Sequence, residues 1–172
     1  ASGNLTTEYD LANSIYIDWG SFINTVINFF LIASVLFTVG CNFRCPFCHN
    51  SRLVINPEKQ SEFFEEEIFA FLKKRAGVLD GVAITGGEPL LQNDIEDFII
   101  KVKDLGYSVK LDTNGTFPEK LRYLVEKGLV DYVAMDIKNC PARYAETCGL
   151  QKVDLAAIEA AATTQLGMSR PA

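Results

Sequence analysis

The 172-residue chain holds a single histidine, His49. Mechanisms that need histidine as general acid, general base or triad member therefore have almost no material here. Positive charge is also short: 16 Lys+Arg against 22 Asp+Glu give a formal charge of −6, and no basic stripe runs along the chain. A direct nucleic-acid partner is not expected on that balance. Five cysteines make an odd set, and three of them are clustered. That argues against a secreted disulfide framework and for a reducing, cytoplasmic compartment. No internal repeat or low-complexity linker is present, and Ala1 to Leu11 carries Glu8 and Asp10 but no Lys or Arg, unlike a signal peptide.

What is present describes a folded chain. Hydrophobic residues make up 48% and charged residues 22%, enough for one domain with a real core. One stretch, Trp19 to Asn42, has no charge, and its apolar run from Phe22 to Val39 approaches the length of a membrane span. Asn24, Thr25, Asn28 and Ser34 interrupt it, and no basic residues flank its start, so a span is not expected. Its second half, Ala33 to Val39, is rich in β-branched and aromatic residues and reads as a buried parallel strand.

Further along, strands alternate with helices. Pro57 to Ala76 reads as an amphipathic helix with Glu58, Glu62, Glu65, Glu66 and Glu67 early and Lys73, Lys74 and Arg75 last, an order that complements the helix dipole. Gly81 to Thr85 reads as a strand, Asp94 to Leu105 as a helix, Tyr107 to Leu111 as a strand, Pro118 to Lys127 as a helix and Asp131 to Met135 as a strand. Val153 to Leu166 is helix-like and Ala-rich. The expected fold class is α/β: a partial (β/α) barrel of parallel strands, truncated to about four βα units. In such folds chemistry gathers at the carboxyl ends of the strands.

Two motifs fall at those ends. The loop Gly-Cys-Asn-Phe-Arg-Cys-Pro-Phe-Cys-His-Asn, Gly40 to Asn50, places Cys41, Cys45 and Cys48 in C-x3-C-x2-C spacing. Three thiolates are one short of a full set for a four-iron cluster, which leaves one iron open to a small molecule. The competing reading is a structural zinc knuckle whose fourth ligand comes from His49, Cys140 or Cys148. After the next strand comes Gly86-Gly87-Glu88-Pro89, whose two glycines permit close backbone approach to a ligand. Cys140 and Cys148 are expected to be small buried residues, and Phe63, Phe64, Phe69 and Phe71 are expected in the core. His49 is expected to be a hydrogen-bonding loop residue and Tyr144 a surface contact.

Taken together, the three cysteines, Phe47 before the third, and Gly-Gly-Glu-Pro after the next strand resemble the radical S-adenosylmethionine (radical SAM) enzymes. Cys48-His49-Asn50, Leu111 to Gly115 (Leu-Asp-Thr-Asn-Gly) and Asp136-Ile137-Lys138 resemble the activating enzymes of glycyl-radical proteins. Val35 to Gly40 and Tyr132 to Lys138 are most similar to archaeal-type activating proteins of anaerobic ribonucleoside-triphosphate reductase. The resemblance covers about Ile32 to Leu150. It divides the chain into an atypical segment, 1–31, a radical SAM core, 32–150, and a C-terminal helix with a frayed tail, 151–172.

The resemblance implies that Cys41, Cys45 and Cys48 hold a 4Fe–4S cluster whose open iron chelates S-adenosylmethionine. It implies that Gly86, Gly87, Glu88 and Pro89 receive the methionyl amino group and that the backbone at Phe47 meets the adenine. Asp112, Thr113, Asn114 and Asp136 match the positions that border the cofactor, where a monovalent cation is shared, and Lys138 matches a cofactor-contacting lysine. The implied partners are a glycyl-radical enzyme, in particular anaerobic ribonucleotide reductase, and a flavodoxin or ferredoxin as electron donor. Two alternatives stay open: a radical SAM enzyme acting on a small molecule, and a non-catalytic or incomplete metal-binding module.

Overall fold

The computed structural model describes residues 32–55 and 63–168. The first half of the long apolar run, and Glu58 and Glu62 of the expected acidic helix start, lie outside the described residues. Among the described residues no helix is long and apolar enough to cross a membrane.

Among the described residues, four strands form one parallel sheet in the order β1-β2-β3-β4. They are β1 (Ala33–Thr38), β2 (Gly81–Gly86), β3 (Ser108–Thr113) and β4 (Tyr132–Met135). Spatial order equals chain order, so every crossover steps the same way. Right-handed crossovers that never reverse keep their helices on one face, which is the arrangement of a barrel wall. The helices are α1 (Ser51–Ile55), α2 (Glu65–Lys74), α3 (Ile95–Asp104), α4 (Pro118–Glu126), α5 (Tyr144–Thr147) and α6 (Leu155–Gly167), with 3-10 turns at Pro89–Leu91 and Pro141–Arg143.

Period-two alternation separates the sheet faces. Leu36, Ile84, Leu111 and Val133 stand in one register row, all buried. They join Ile95, Ile99 and Val102 of α3 and Leu121 and Leu124 of α4 in the main core. The opposite face carries Val35, Ala83, Lys110 and Tyr132 in register, a mixed row that includes a charge. Tyr107, just before β3, is buried, and its hydroxyl donates to the Leu72 carbonyl at 2.6 Å, tying α2 to the sheet.

The helices start and stop where charge favours it. Glu65, Glu66 and Glu67 open α2, and Lys73 and Lys74 close it. Glu67 also accepts the Phe64 N–H at 3.0 Å. Asp154 accepts the Ala157 N–H at 3.1 Å and so caps α6, which packs on α4 and β4.

Two expectations about apolar residues change. Phe69 and Phe71 pack against the main core, but Phe63 and Phe64 are 40% and 74% exposed because they precede the first turn of α2 rather than lie on its inner face. Cys148 is fully buried, whereas Cys140 is exposed at the start of a 3-10 turn.

Leu111 has no exposed surface and sits on the central strand β3. Leu111→Ala is expected to destabilise by about 2–5 kcal/mol, the range for emptying a packed leucine site. Phe64→Ala is expected to stay within about 0.5 kcal/mol. Urea denaturation of both variants measures the difference.

Candidate functional site

The carboxyl ends of all four strands carry the residues singled out by sequence. β1 leads into Cys41, Cys45 and Cys48; β2 into Gly86 to Pro89; β3 into Asp112, Thr113 and Asn114; β4 into Asp136 and Lys138.

The cysteine loop is built by short-range backbone bonds. The Cys48 N–H donates to the Cys45 carbonyl at 3.1 Å, and the Gly40 N–H donates to the carbonyl of Leu53, midway along α1, at 2.8 Å. The Arg44 guanidinium folds back onto the carbonyls of Cys41 and Phe43. Cys41, Cys45 and Cys48 are free thiols, each partly buried. Burial raises the Cys41 thiol above its ordinary value, while the Phe43 N–H, 3.3 Å from its sulfur, opposes that rise. Among the described residues no three His, Cys, Asp or Glu side chains converge closely enough to hold one metal ion.

The Gly-Gly turn approaches protein backbone, not open space. A Cβ on Gly87 would lie 1.8 Å from the Gly40 carbonyl oxygen, and one on Gly86 would lie 2.4 Å from the backbone of Thr38. The Gly87 N–H donates to Thr38 at 2.9 Å, and the Glu88 N–H donates to Gly40 at 2.9 Å. The glycines therefore let the turn dock flush against the root of the cysteine loop. Asn50 adds a side-chain bond to the Gly86 carbonyl at 3.2 Å.

Glu88 is fully buried. Its Oε1 accepts the Leu90 N–H at 3.1 Å and the Thr113 hydroxyl at 2.8 Å, and its Oε2 accepts the Asn114 N–H at 2.7 Å. Burial pushes its carboxyl above the usual range, and these three donors offset part of that rise. Its carboxylate thus ties the end of β2 to the end of β3.

The remaining acids are paired with lysines. Lys110 Nζ lies 2.7 Å from Asp112 Oδ1, at an angle that leaves this oxygen without an aligned donor. Lys138 pairs with Asp136. Burial lowers the Lys138 ammonium, but Asp136 outweighs it and leaves the group above its ordinary value. Phe47 is 54% exposed on the loop, its ring open to a planar ligand, and His49 is exposed.

A second, smaller core backs the loop. Phe43, Tyr144, Cys148 and Ile158 are buried together, with Cys41 and Cys45 packed against them. Tyr144 is therefore no surface contact: it is buried, and its hydroxyl accepts the Lys138 N–H at 3.3 Å. The Arg44 N–H donates to the Cys148 carbonyl at 2.8 Å, and a Cβ on Gly149 would lie 2.2 Å from the Arg44 carbonyl oxygen. Burial, with Cys45 beside it, pushes the Cys148 thiol up to about 12. Cys148 thus lies buried behind the loop, beside Cys45.

The profile of the radical SAM superfamily matches residues 35–164. The chain belongs to the radical SAM superfamily. It is 39% identical over 110 residues to a Methanocaldococcus jannaschii protein named as a candidate glycyl-radical enzyme activating enzyme, covering 62% of this chain and 43% of that one. It is 31% identical over 118 residues to the pyruvate formate-lyase-activating enzyme of Listeria monocytogenes, covering 62% and 47%. It is 39% identical over 103 residues to a candidate GTP 3′,8-cyclase of Halobacterium salinarum, covering 55% and 28%. The chain thus spans less than half the length of each of these curated relatives.

Radical SAM membership implies a 4Fe–4S cluster and S-adenosylmethionine. The donor set fits: three free, partly buried thiols on one loop at a strand carboxyl end, with N–H groups directed at one of the sulfurs.

Several residues of the site were not foreseen. Asn42, Thr116 and Gly149 complete it through contacts 72 to 105 positions apart in the chain, such as Asn114 to Asn42 at 2.8 Å and Gly149 to Arg44. Nothing local in the sequence marks them, although Gly149 following a cysteine offered a weak hint of close packing.

Gly149 and Gly128 both have φ of +67°, but a Cβ on Gly128 meets nothing within 4 Å. Alanine at either position carries the left-handed backbone cost of about 1–2 kcal/mol. Only Gly149→Ala is expected to lose iron on reconstitution as well, because it alone pushes on the cysteine loop. Iron content and thermal melting of the two variants measure this.

Proposed function

We propose that this chain is the cluster-binding part of an activating enzyme for a glycyl-radical protein. The observation that carries the reading is the docking of the Gly86-Gly87 turn on Gly40 and Thr38, which sets that turn beside the loop of three free thiols. The relatives named as activating enzymes support the same reading.

Cys41, Cys45 and Cys48 would hold the cluster, and the turn Gly86 to Pro89 would border the methionyl group. The chemistry supplied by cluster and cofactor, when bound, is one-electron cleavage of the sulfonium C–S bond to methionine and a 5′-deoxyadenosyl radical. This chain's own residues position and shield. Glu88 fixes the turn from behind through Thr113 and Asn114. Lys138, held by Asp136 at the mouth, supplies a cation near an incoming carboxylate. The backbone at exposed Phe47 would meet the adenine. Asp112 and Asp136 already carry lysine partners, so a monovalent cation there would share them with these ammonium groups.

The substrate in this reading is a backbone glycine of a large partner, in particular anaerobic ribonucleotide reductase, and the electron comes from a flavodoxin or ferredoxin. Five free thiols among the described residues suit the reducing cytoplasm of an anaerobic cell. One observation favours a second reading, a radical SAM enzyme for a small molecule: the match to the candidate GTP 3′,8-cyclase has the same 39% identity as the match to the candidate activating enzyme.

Anaerobic reconstitution is expected to give about four irons per chain, and dithionite with S-adenosylmethionine is expected to give 5′-deoxyadenosine. Alanine at Cys41, Cys45 or Cys48 is expected to abolish both. A full cluster without 5′-deoxyadenosine rejects the catalytic reading. Electron paramagnetic resonance of the glycyl radical, with the reductase as partner, separates the activating reading from the small-molecule one.

A further inference from the structure

Asn114 touches both halves of the site. Its backbone N–H donates to Glu88 Oε2 at 2.7 Å, and its side chain is buried. Its Oδ1 accepts the Thr116 N–H at 3.0 Å and the Thr116 hydroxyl at 2.7 Å. A backbone N–H can only donate, so the atom facing it must be the amide oxygen. The amide nitrogen is therefore fixed on the other side, 2.8 Å from Asn42 Oδ1 and 3.9 Å from Cys41 Sγ. Asn42 is oriented by the same ring, since its Nδ2 donates to the Thr116 hydroxyl at 2.8 Å. The three side chains lock one another, and the outcome is an N–H directed at a ligand sulfur.

We propose that Asn114 is a positioning residue that sets the reduction potential of the cluster through its N–H toward Cys41 Sγ, at a distance held by its bond to the Asn42 carbonyl. This rests on the reading of Cys41 as a cluster ligand. Donors to a cluster sulfur stabilise the added electron and raise the potential. The Phe43 N–H at 3.3 Å is a fixed contribution of the same kind. Asn114 is the adjustable one: one hydrogen of its NH2 bonds Asn42 Oδ1 at 2.8 Å, and that short bond holds the nitrogen 3.9 Å from the sulfur toward which the other hydrogen is directed. Removing the donor must lower the potential, and removing the acceptor that holds it back must raise it.

Two variants carry opposite signs. Asn114→Leu keeps the volume and the backbone N–H to Glu88 but deletes the donor. Asn42→Ala deletes the acceptor that holds the Asn114 amide away from the sulfur and lets the N–H approach it. The measurement is a redox titration of the reconstituted cluster by electron paramagnetic resonance, without S-adenosylmethionine or partner. At a fixed applied potential the reduced-to-oxidised ratio is expected to fall about threefold to tenfold in Asn114→Leu and to rise in Asn42→Ala; tenfold corresponds to about 59 mV for one electron. Asn114→Asp, which sets a carboxylate against the sulfur, is expected to fall further than Asn114→Leu.

A purely structural role would lower melting temperature and iron retention without opposite shifts. Unchanged potentials, or shifts of the same sign in Asn114→Leu and Asn42→Ala, overturn the proposal. If Asn114→Leu does not retain iron, Asn42→Ala decides alone, and an unchanged or lowered potential there overturns it. Loss of the cluster in both variants also overturns it, because a tuning contact leaves all three ligands in place. Since the titration needs no cofactor cleavage, a chain that makes no 5′-deoxyadenosine but shows the opposed shifts fails the functional reading and keeps this one.

Discussion

The site depends on a contact with no side chains in it. Gly86 and Gly87 lie so close to Thr38 and Gly40 that any Cβ would enter the opposing backbone. Two bonds, both donated by the turn, from the Gly87 N–H to the Thr38 carbonyl and from the Glu88 N–H to the Gly40 carbonyl, continue the β1–β2 ladder past the last residues of the strands. The sheet thus extends into its own active end. The cysteine loop leaves β1 from a fixed direction because the neighbouring turn holds its root, and the turn in turn is held by the loop.

Around that contact the structure adds two independent supports. From one side, the buried Glu88 carboxylate gathers donors from Leu90, Thr113 and Asn114. A buried carboxylate is costly unless its lone pairs are used, and here three donors use them. From the other side, the segment after β4 packs Tyr144, Cys148 and Gly149 under Phe43 and Arg44. Loops that carry function need such rigid backing, because they have few backbone bonds of their own.

Much of this was legible in the sequence, and the limits have physical reasons. The strands ended within one or two residues of their expected positions because β-branched runs bounded by glycine are strong local signals. The parallel order followed from alternation with helices. The chemistry-bearing residues were legible because they sit at strand ends: Cys41, Glu88, Asp112 and Asp136 all fall there. What stayed hidden was direction. Glu88 read as a ligand-facing acid, and its carboxylate is occupied by the protein. Tyr144 read as surface, and it is buried. Phe64 read as core, and it is exposed. For Glu88 and Tyr144 the outcome turns on contacts between segments far apart in the chain, which no periodicity within a segment can encode; for Phe64 it turns on where the first turn of α2 begins.

Cys148 shows how burial can decide coordination where composition cannot. By count it was a candidate fourth ligand, and it lies next to Cys45. A ligand sulfur must be a thiolate. Cys148 has no exposed surface and is enclosed by Phe43, Tyr144 and Ile158, surroundings that hold it as a thiol. Its backbone is committed as well, with its carbonyl on Arg44 and its N–H on Tyr144. To reach a metal it would have to leave the small core that supports the loop, and the loop would lose its backing. Cys148, the last of the five cysteines, thus has its sulfur packed into the support of the loop that carries the three clustered thiols.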